Sequence, residues 1–247
     1  MREKAWSTVT KVVVAVLAVG LCVVASGASR TGASSSNSTS TAKEILAGAL
    51  AAAQKESGCK YTTTFSLDGY PYTLVADAGS VSGEQLISAR GATIDLREVD
   101  GGVYVYANAQ GVKLQYGVTD STWANRWILV TSHDKAFTAF SAGVLLRSVL
   151  EEVPPATIKG SAKSQTVGGQ KVVAITGKPN KMIGLSAGKE TLYLSATAPY
   201  LPVKLVVTDK PPSEVRKLTF TFSHWGESFV IAKPSGATPI SNTNLPD

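Results

Sequence analysis

The sequence has few of the residues from which metal sites and disulfide frameworks are built. Its 247 residues include only two cysteines and two histidines. Cys22 lies in a segment with the features of a targeting signal, which leaves Cys59, His133 and His224. These are too few for a disulfide framework or for the four ligands of a structural zinc site. The sequence therefore predicts no metal and no other cofactor.

Charge is also sparse. Charged residues make up 17% of the chain, and the formal net charge is +6. The basic residues occur singly along the chain, whereas a nucleic-acid-binding surface needs them concentrated in a patch. We therefore expect no nucleic-acid partner.

The first 28 residues have the order of a secretory signal. Arg2, Lys4 and Lys11 are basic, residues 12–25 carry no charge, and residues 26–28 are small. The uncharged run is shorter than the roughly 18–20 residues of a membrane-spanning helix. A retained signal anchor stays open if residues 26–28 count towards the span. We expect an exported protein at the outer face of the cell membrane or in the cell envelope, either membrane-anchored or released.

Cys22 offers another means of attachment, as a lipid anchor. A lipoprotein cysteine would be acylated and kept as the first residue of the mature chain, whereas cleavage after Ala28 would remove it. The preceding residue is Leu21, where lipoprotein signals need a small side chain. The sequence leaves both alternatives open.

The rest of the chain predicts one domain between two segments without a core. Residues 29–42 are dominated by Ser, Thr, Gly and Asn, a composition typical of a flexible tether. Residues 43–235 are long enough to bury a core without disulfides. Residues 236–247 are predicted to form a disordered tail.

Hydrophobic periodicity within this domain predicts an α+β fold. Thr41 and Glu44 fit a capping box, and apolar residues at helical spacing then predict a helix over residues 42–57. From Lys60 the apolar residues recur at every second position, which is typical of a strand, and Asp68-Gly69 is a dipeptide favoured in tight hairpins. A second helix is expected from residues 132–134 to Pro154. Ten or eleven antiparallel strands are predicted around residues 60–67, 70–74, 94–97, 103–106, 127–130, 157–166, 170–177, 190–196, 202–208, 215–223 and 229–232.

One motif has the form of a hydrolase site. Residues 184–188 match G-x-S-x-G, and Ser186, Asp209 and His224 follow the chain order of an α/β-hydrolase triad. That nucleophile turn leads from a strand into a helix, whereas residues 190–194 read as a strand. The interpretation as a glycine-rich turn is favoured, and we expect no enzyme.

The most informative feature is the amount of apolar sheet face beside few helices. An antiparallel sheet of this size must curl or be covered, so the core either closes or keeps a cavity for an apolar ligand. Periodicity alone slightly favours closure, because an empty apolar cavity costs stability. The candidate cavity residues are Phe65, Leu74, Ile94, Leu96, Val105, Phe137, Phe140, Val144, Leu192, Leu194, Leu205, Phe220 and Phe222.

Four segments carry a resemblance to a known family. Residues 96–105 (LREVDGGVYV) resemble a "VDG-x-VYV" strand pair, and residues 125–130 (NRWILV) a "GKWV-x-V" strand. Residues 190–194 with 199–205 resemble "GTLYV…YPL-x-L", and residues 218–234 resemble "FSDYG…I-x-AP". In this order they resemble the LolA-like lipoproteins of actinobacteria, the group of LppX, LprA, LprF and LprG.

The resemblance implies both a fold and a function. The fold would be a strongly curved antiparallel half-barrel of about ten to eleven strands, with two to three helices covering the concave face. The function would be that of a non-enzymatic carrier holding the acyl chains of lipids or glycolipids in an apolar cavity. Its partners would be the membrane surface and a membrane transporter, and we expect a monomer. The alternative is a ligand-free envelope sensor or protein-interaction module on the same scaffold.

Overall fold

The protein is described by a computed structural model that covers residues 37–67, 69–116, 122–180, 188–209 and 217–242. The helices within these residues are α1 (Asn37–Ala53), α2 (Ala109–Tyr116), α3 (Phe137–Ser141) and α4 (Leu146–Glu152). The strands are β1 (Gly58–Leu67), β2 (Tyr70–Gly79), β3 (Gly83–Ala89), β4 (Ala92–Val99), β5 (Gly102–Ala107), β6 (Trp127–Val130), β7 (Thr157–Ile158), β8 (Lys163–Val167), β9 (Gln170–Lys178), β10 (Lys189–Ser195), β11 (Pro202–Thr208), β12 (Lys217–Ser223) and β13 (Thr238–Pro239).

All thirteen strands belong to one curved, open sheet. Its order is β13-β6-β5-β4-β3-β2-β1-β12-β11-β10-β9-β7, with β8 also paired to β9. The pairs are antiparallel except for the short pair β13–β6. The predicted antiparallel α+β fold is confirmed, with more strands and helices than predicted.

The predicted central helix is instead two helices, α3 and α4. Ala142 after α3 is extended, with φ −59° and ψ 128°, and Gly143 has φ +69°, a conformation that glycine adopts without steric cost. The carbonyl groups of these two residues accept hydrogen bonds from side chains of the sheet. We call residues 142–145 the α3–α4 linker.

Other boundaries also differ from the sequence predictions. Helix α1 begins five residues earlier than predicted, inside the segment assigned to the tether, and ends at Ala53 rather than at residue 57. Residues 229–232 form no strand, and the last pairing with the sheet comes from β13. Ile240, in the segment assigned to a disordered tail, is buried. Helix α2 and strand β3 were not predicted.

The core lies on one face of the sheet, which we call the inner face. Along β1, Tyr61 and Thr63 are buried on this face, whereas Thr64 points outwards and is exposed. Helices α2 and α3 contact β4 and β5, and α4 contacts β2. The fold therefore presents a polar outer face and an apolar inner face partly covered by short helices.

Candidate functional site

The strand registers align the inner-face side chains into continuous rows. One row crosses nine adjacent strands from β5 to β9, and each member directly faces the next across a strand pair. Its members, in order across the sheet, are Ala107, Ile94, Ile87, Leu74, Thr63, Phe220, Leu205, Leu192 and Ile175. All are buried, and Thr63 is the single polar member. We call this set the central row.

Most of the thirteen candidate cavity residues lie together on the inner face or in the helices against it. Eleven have exposed fractions of 0–5%, and Phe65 and Phe137 are half-buried. Those eleven belong to one contiguous apolar cluster, against which the other two pack. The side chains are therefore shielded from water, and any ligand of this surface would have to lie between the sheet and its cover.

Aromatic rings concentrate where β1 meets β12. The ring centroids of Tyr61, Phe220 and Phe222 are each 6.1 Å apart, and Phe220 and Phe222 are stacked. Trp225 extends this group at 6.2 Å from Phe222, and its indole N–H donates to the carbonyl oxygen of Pro202. Large rings of this kind supply much apolar contact area with few rotatable bonds.

The α3–α4 linker is tied to the inner face by hydrogen bonds. The Tyr61 hydroxyl donates to the carbonyl oxygen of Gly143 over 2.8 Å. The Gln85 side-chain amide donates to the Tyr61 oxygen over 2.6 Å and to the carbonyl oxygen of Ala142 over 3.2 Å. A Cβ on Gly83 would collide with the carbonyl oxygen of Val144, so the linker lies directly on the backbone of β3.

A buried carboxyl group accompanies this network. Burial, followed by the charge of Glu151, raises the pKa of Glu152 to about 8. A Cβ placed on Gly143 would lie 3.7 Å from a carboxyl oxygen of Glu152 and 2.9 Å from the Tyr61 hydroxyl oxygen. Both side chains therefore approach the same point of the linker. Burial raises the pKa of Tyr61 well above its usual value, and the nearby Glu152 adds to that shift. At neutral pH the predominant form of both groups is uncharged.

A second buried carboxyl group lies close to the C-terminal end of α4. Glu190 on β10 is fully buried, and burial raises its pKa to about 8, while a hydrogen bond from the backbone N–H of Asn180 opposes the shift. The Asn180 side chain donates in turn to the carbonyl oxygens of Glu151 and Pro154. Asn180 therefore connects this carboxyl group to the end of α4.

These polar residues were not among the site candidates predicted from the sequence. Gln85 lies on β3, which was not predicted as a strand, and Glu152 was not distinguished from exposed helix carboxyls. Glu190 is two residues from Leu192 and four from Leu194, so it lies on the same face of the strand as these leucines. This two-residue period was the signal that Glu190 points inwards.

The disfavoured alternative, a hydrolase triad of Ser186, Asp209 and His224, lacks its Asp–His contact. Ser186 lies outside the described residues. Asp209 follows Thr208, which pairs with Lys217 at the start of β12, whereas His224 follows the last residue of that strand. At about 3.3 Å per residue, the two side chains are separated by roughly 20 Å along the strand. This contradicts a hydrogen bond between Asp209 and His224.

The remaining chemistry-bearing residues are placed as follows. Cys22 lies outside the described residues, and Cys59 is buried on β1, where burial raises its pKa to about 12. The described ranges contain no group of three or more His, Cys, Asp or Glu side chains arranged to hold a metal.

Within the same ranges, no helix has the length and hydropathy needed to cross a membrane. A cleft of about 390 Å³ lies at the ends of β9–β11 and includes Lys159, Lys189 and Asp209.

No protein-family model matches the sequence, and no curated protein matches it. The structure nevertheless resembles the crystal structure of the lipoprotein LppX from Mycobacterium tuberculosis. The likeness covers 78% of this chain and 99% of LppX, with a TM-score of 0.50 and 12% sequence identity. The fold is that of LppX. The crystal structure of LprF from Mycobacterium bovis matches 80% of this chain and 98% of its own length, with a TM-score of 0.47 and 14% identity.

The LppX fold agrees with the resemblance read from the four sequence segments. Those segments map to the β4–β5 hairpin, to β6, to the β10–β11 pair, and to β12 with the segment that follows it. Two of them contribute members of the central row, Leu192 and Leu205 from the third segment and Phe220 from the fourth. The weak sequence similarity therefore falls on the strands that build the inner face.

Proposed function

We propose that the protein is a non-enzymatic lipid or glycolipid carrier of the cell envelope, which holds acyl chains between the inner face of the sheet and its helices. The observation that carries the proposal is the central row, which is apolar at eight of its nine positions. An acyl chain on this row would lose contact with water along its length. Each buried methylene contributes about 0.8 kcal/mol, so ten would contribute about 8 kcal/mol before the costs of binding.

The cover of the inner face supports a carrier rather than a permanently closed core. Helices α3 and α4 have five and seven residues, and isolated helices of this length are not stable. Their linker is held by the bonds from Tyr61 and Gln85. In this proposal the segment moves away from the sheet to admit a ligand.

The proposed setting follows from the N-terminal sequence. We propose that the protein is exported and acts at the outer face of the cell membrane, released after cleavage or held by residues 1–28 or an acylated Cys22. Its partners would then be the membrane surface, from which lipid is taken, and a membrane transporter.

The second candidate is a ligand-free sensor or interaction module. The observation that favours it is the burial of eleven of the thirteen candidate cavity residues. In this alternative the inner face is only a core, and binding would use the outer face.

Native mass spectrometry of protein purified without detergent distinguishes these functions. For a carrier we expect masses above that of the polypeptide, together with acyl lipids in an organic extract of the same sample. A stripped sample incubated with phospholipid vesicles should regain the added mass. The polypeptide mass alone, before and after vesicle treatment, would contradict the carrier and favour the ligand-free module.

A further inference from the structure

The inner face contains a polar side chain that its surroundings do not satisfy. Thr63 is fully buried at the middle of the central row, and its hydroxyl oxygen has no hydrogen-bond partner among the described residues. Its neighbours across the strand pairs are Leu74 and Phe220. An unpaired buried hydroxyl destabilises the folded state because it has given up its hydrogen bonds to water, so a threonine here is disfavoured by folding alone.

Gln85 presents a second unsatisfied atom on the same face. Its side-chain nitrogen makes the two bonds to Tyr61 and Ala142, and these fix the orientation of the amide, since the carbonyl oxygen of Ala142 needs a donor. The side-chain oxygen of Gln85 is buried and has no partner in the described part of the chain. Ala76 pairs with both Gln85 and Tyr61, which places Gln85 two strands from Thr63, with Cα atoms roughly 12 Å apart.

The chemistry of these two atoms restricts what would satisfy them. The Gln85 oxygen only accepts hydrogen bonds, and the Thr63 hydroxyl can donate or accept. The strand neighbours of Thr63 are apolar, and the ionisable groups beside Gln85, Tyr61 and Glu152, are predominantly uncharged at neutral pH. A charged group would therefore lose its hydration without gaining a partner of opposite charge. An uncharged hydroxyl on an otherwise apolar chain fits both requirements.

We propose that Thr63 and Gln85 form a two-point polar subsite, in which each side chain recognises a hydroxyl group at its own position along the acyl chain of the carrier's ligand. The inference rests on the proposed function and specifies its substrate class as lipids with a hydroxylated chain. Thr63 and Gln85 determine specificity, while the apolar members of the central row supply affinity.

Equilibrium binding of stearic acid and of a positional series of monohydroxystearic acids to delipidated protein tests the subsite. At the best-placed position, we expect the hydroxylated chain to bind about fivefold more tightly, the effect of one net hydrogen bond of about 1 kcal/mol. Thr63→Val keeps the shape of the side chain but removes the hydroxyl. We expect that, in this variant, the same hydroxystearic acid no longer binds more tightly than stearic acid.

A matched control lies next to this position on the same strand. Thr64→Val makes the same change on the outer face, where residue 64 is exposed, and should leave the preference intact. Gln85→Met should lower the preference, over stearic acid, for a hydroxystearic acid whose hydroxyl group is at a different chain position from the one that Thr63 recognises. Equal binding of all chains by the wild type would overturn the subsite and leave the carrier function standing. A preference that survives both Thr63→Val and Gln85→Met would also overturn it, and failure of every chain to bind would contradict the carrier function itself.

Discussion

The free energy of unfolding is expected to fall between pH 5 and pH 8, by an amount on the order of 3 kcal/mol for each of Glu152 and Glu190. Glu152 and Glu190 each have a pKa of about 8 in the folded protein, with burial as the main cause. In the unfolded chain both would ionise near the usual glutamate value of about 4.3. Between these values the folded state binds more protons than the unfolded state, so stability falls as pH rises. Urea unfolding at a series of pH values measures this slope.

Replacement of each carboxyl group tests its share of the effect. Glu152→Gln and Glu190→Gln keep the size of the side chain and cannot ionise, so each should flatten the slope and raise stability most at pH 8. Glu44→Gln on α1 is the matched control, because residue 44 is exposed, and it should leave the slope unchanged. A wild type whose stability rises from pH 5 to pH 8 would contradict the burial of these groups.

Gly83→Ala is expected to detach the α3–α4 linker from the sheet. A Cβ at this position would collide with the carbonyl oxygen of Val144, lie 2.9 Å from its carbonyl carbon, and lie 3.2 Å from the carbonyl oxygen of Asp77. These contacts are with backbone atoms, so a side-chain rotation cannot relieve them. Overpacking of this kind costs about 1–3 kcal/mol, and loss of the bonds from Tyr61 and Gln85 would add about 1 kcal/mol each.

Two measurements separate a displaced linker from general destabilisation. Urea unfolding gives the lost stability, and an environment-sensitive apolar dye reports whether the inner face becomes accessible in the folded protein. Gly48→Ala is the control, because no atom outside its own stretch of helix lies within 4 Å of a Cβ at that position, and alanine there should stabilise α1 by up to about 1 kcal/mol. Unchanged stability and unchanged dye binding in Gly83→Ala would contradict the described position of the linker.

Much of the sheet could be predicted because its signals are local. The alternation of Tyr61, Thr63 and Phe65 with polar residues identifies the two faces of β1, and Asp68-Gly69 fixes the register of the β1–β2 hairpin. The break between α3 and α4 has no such signal. The apolar stripe continues through Val144, and the hydrogen bond that ends at Gly143 comes from Tyr61, 82 residues earlier in the chain.

The candidate site also combines residues that could be predicted from the sequence with residues that could not. Its apolar members follow from strand and helix period, since Leu192, Leu194 and Leu205 could be assigned to a buried face from the pattern alone. The polar members depend on long-range contacts. A glutamate such as Glu152 is typical of an exposed helix position, and only the packing of α4 against the sheet buries it.

The central claim is that acyl chains lie on the inner face of the sheet. Photochemical cross-linking with a stearic acid that carries a diazirine near the middle of its chain tests this claim most directly, with the labelled residues located by peptide mass spectrometry. We predict adducts on inner-face residues of β1, β11 and β12, such as Leu205 and Phe220. Adducts confined to outer-face neighbours such as Val206, or protein that remains unlabelled, would contradict the claim.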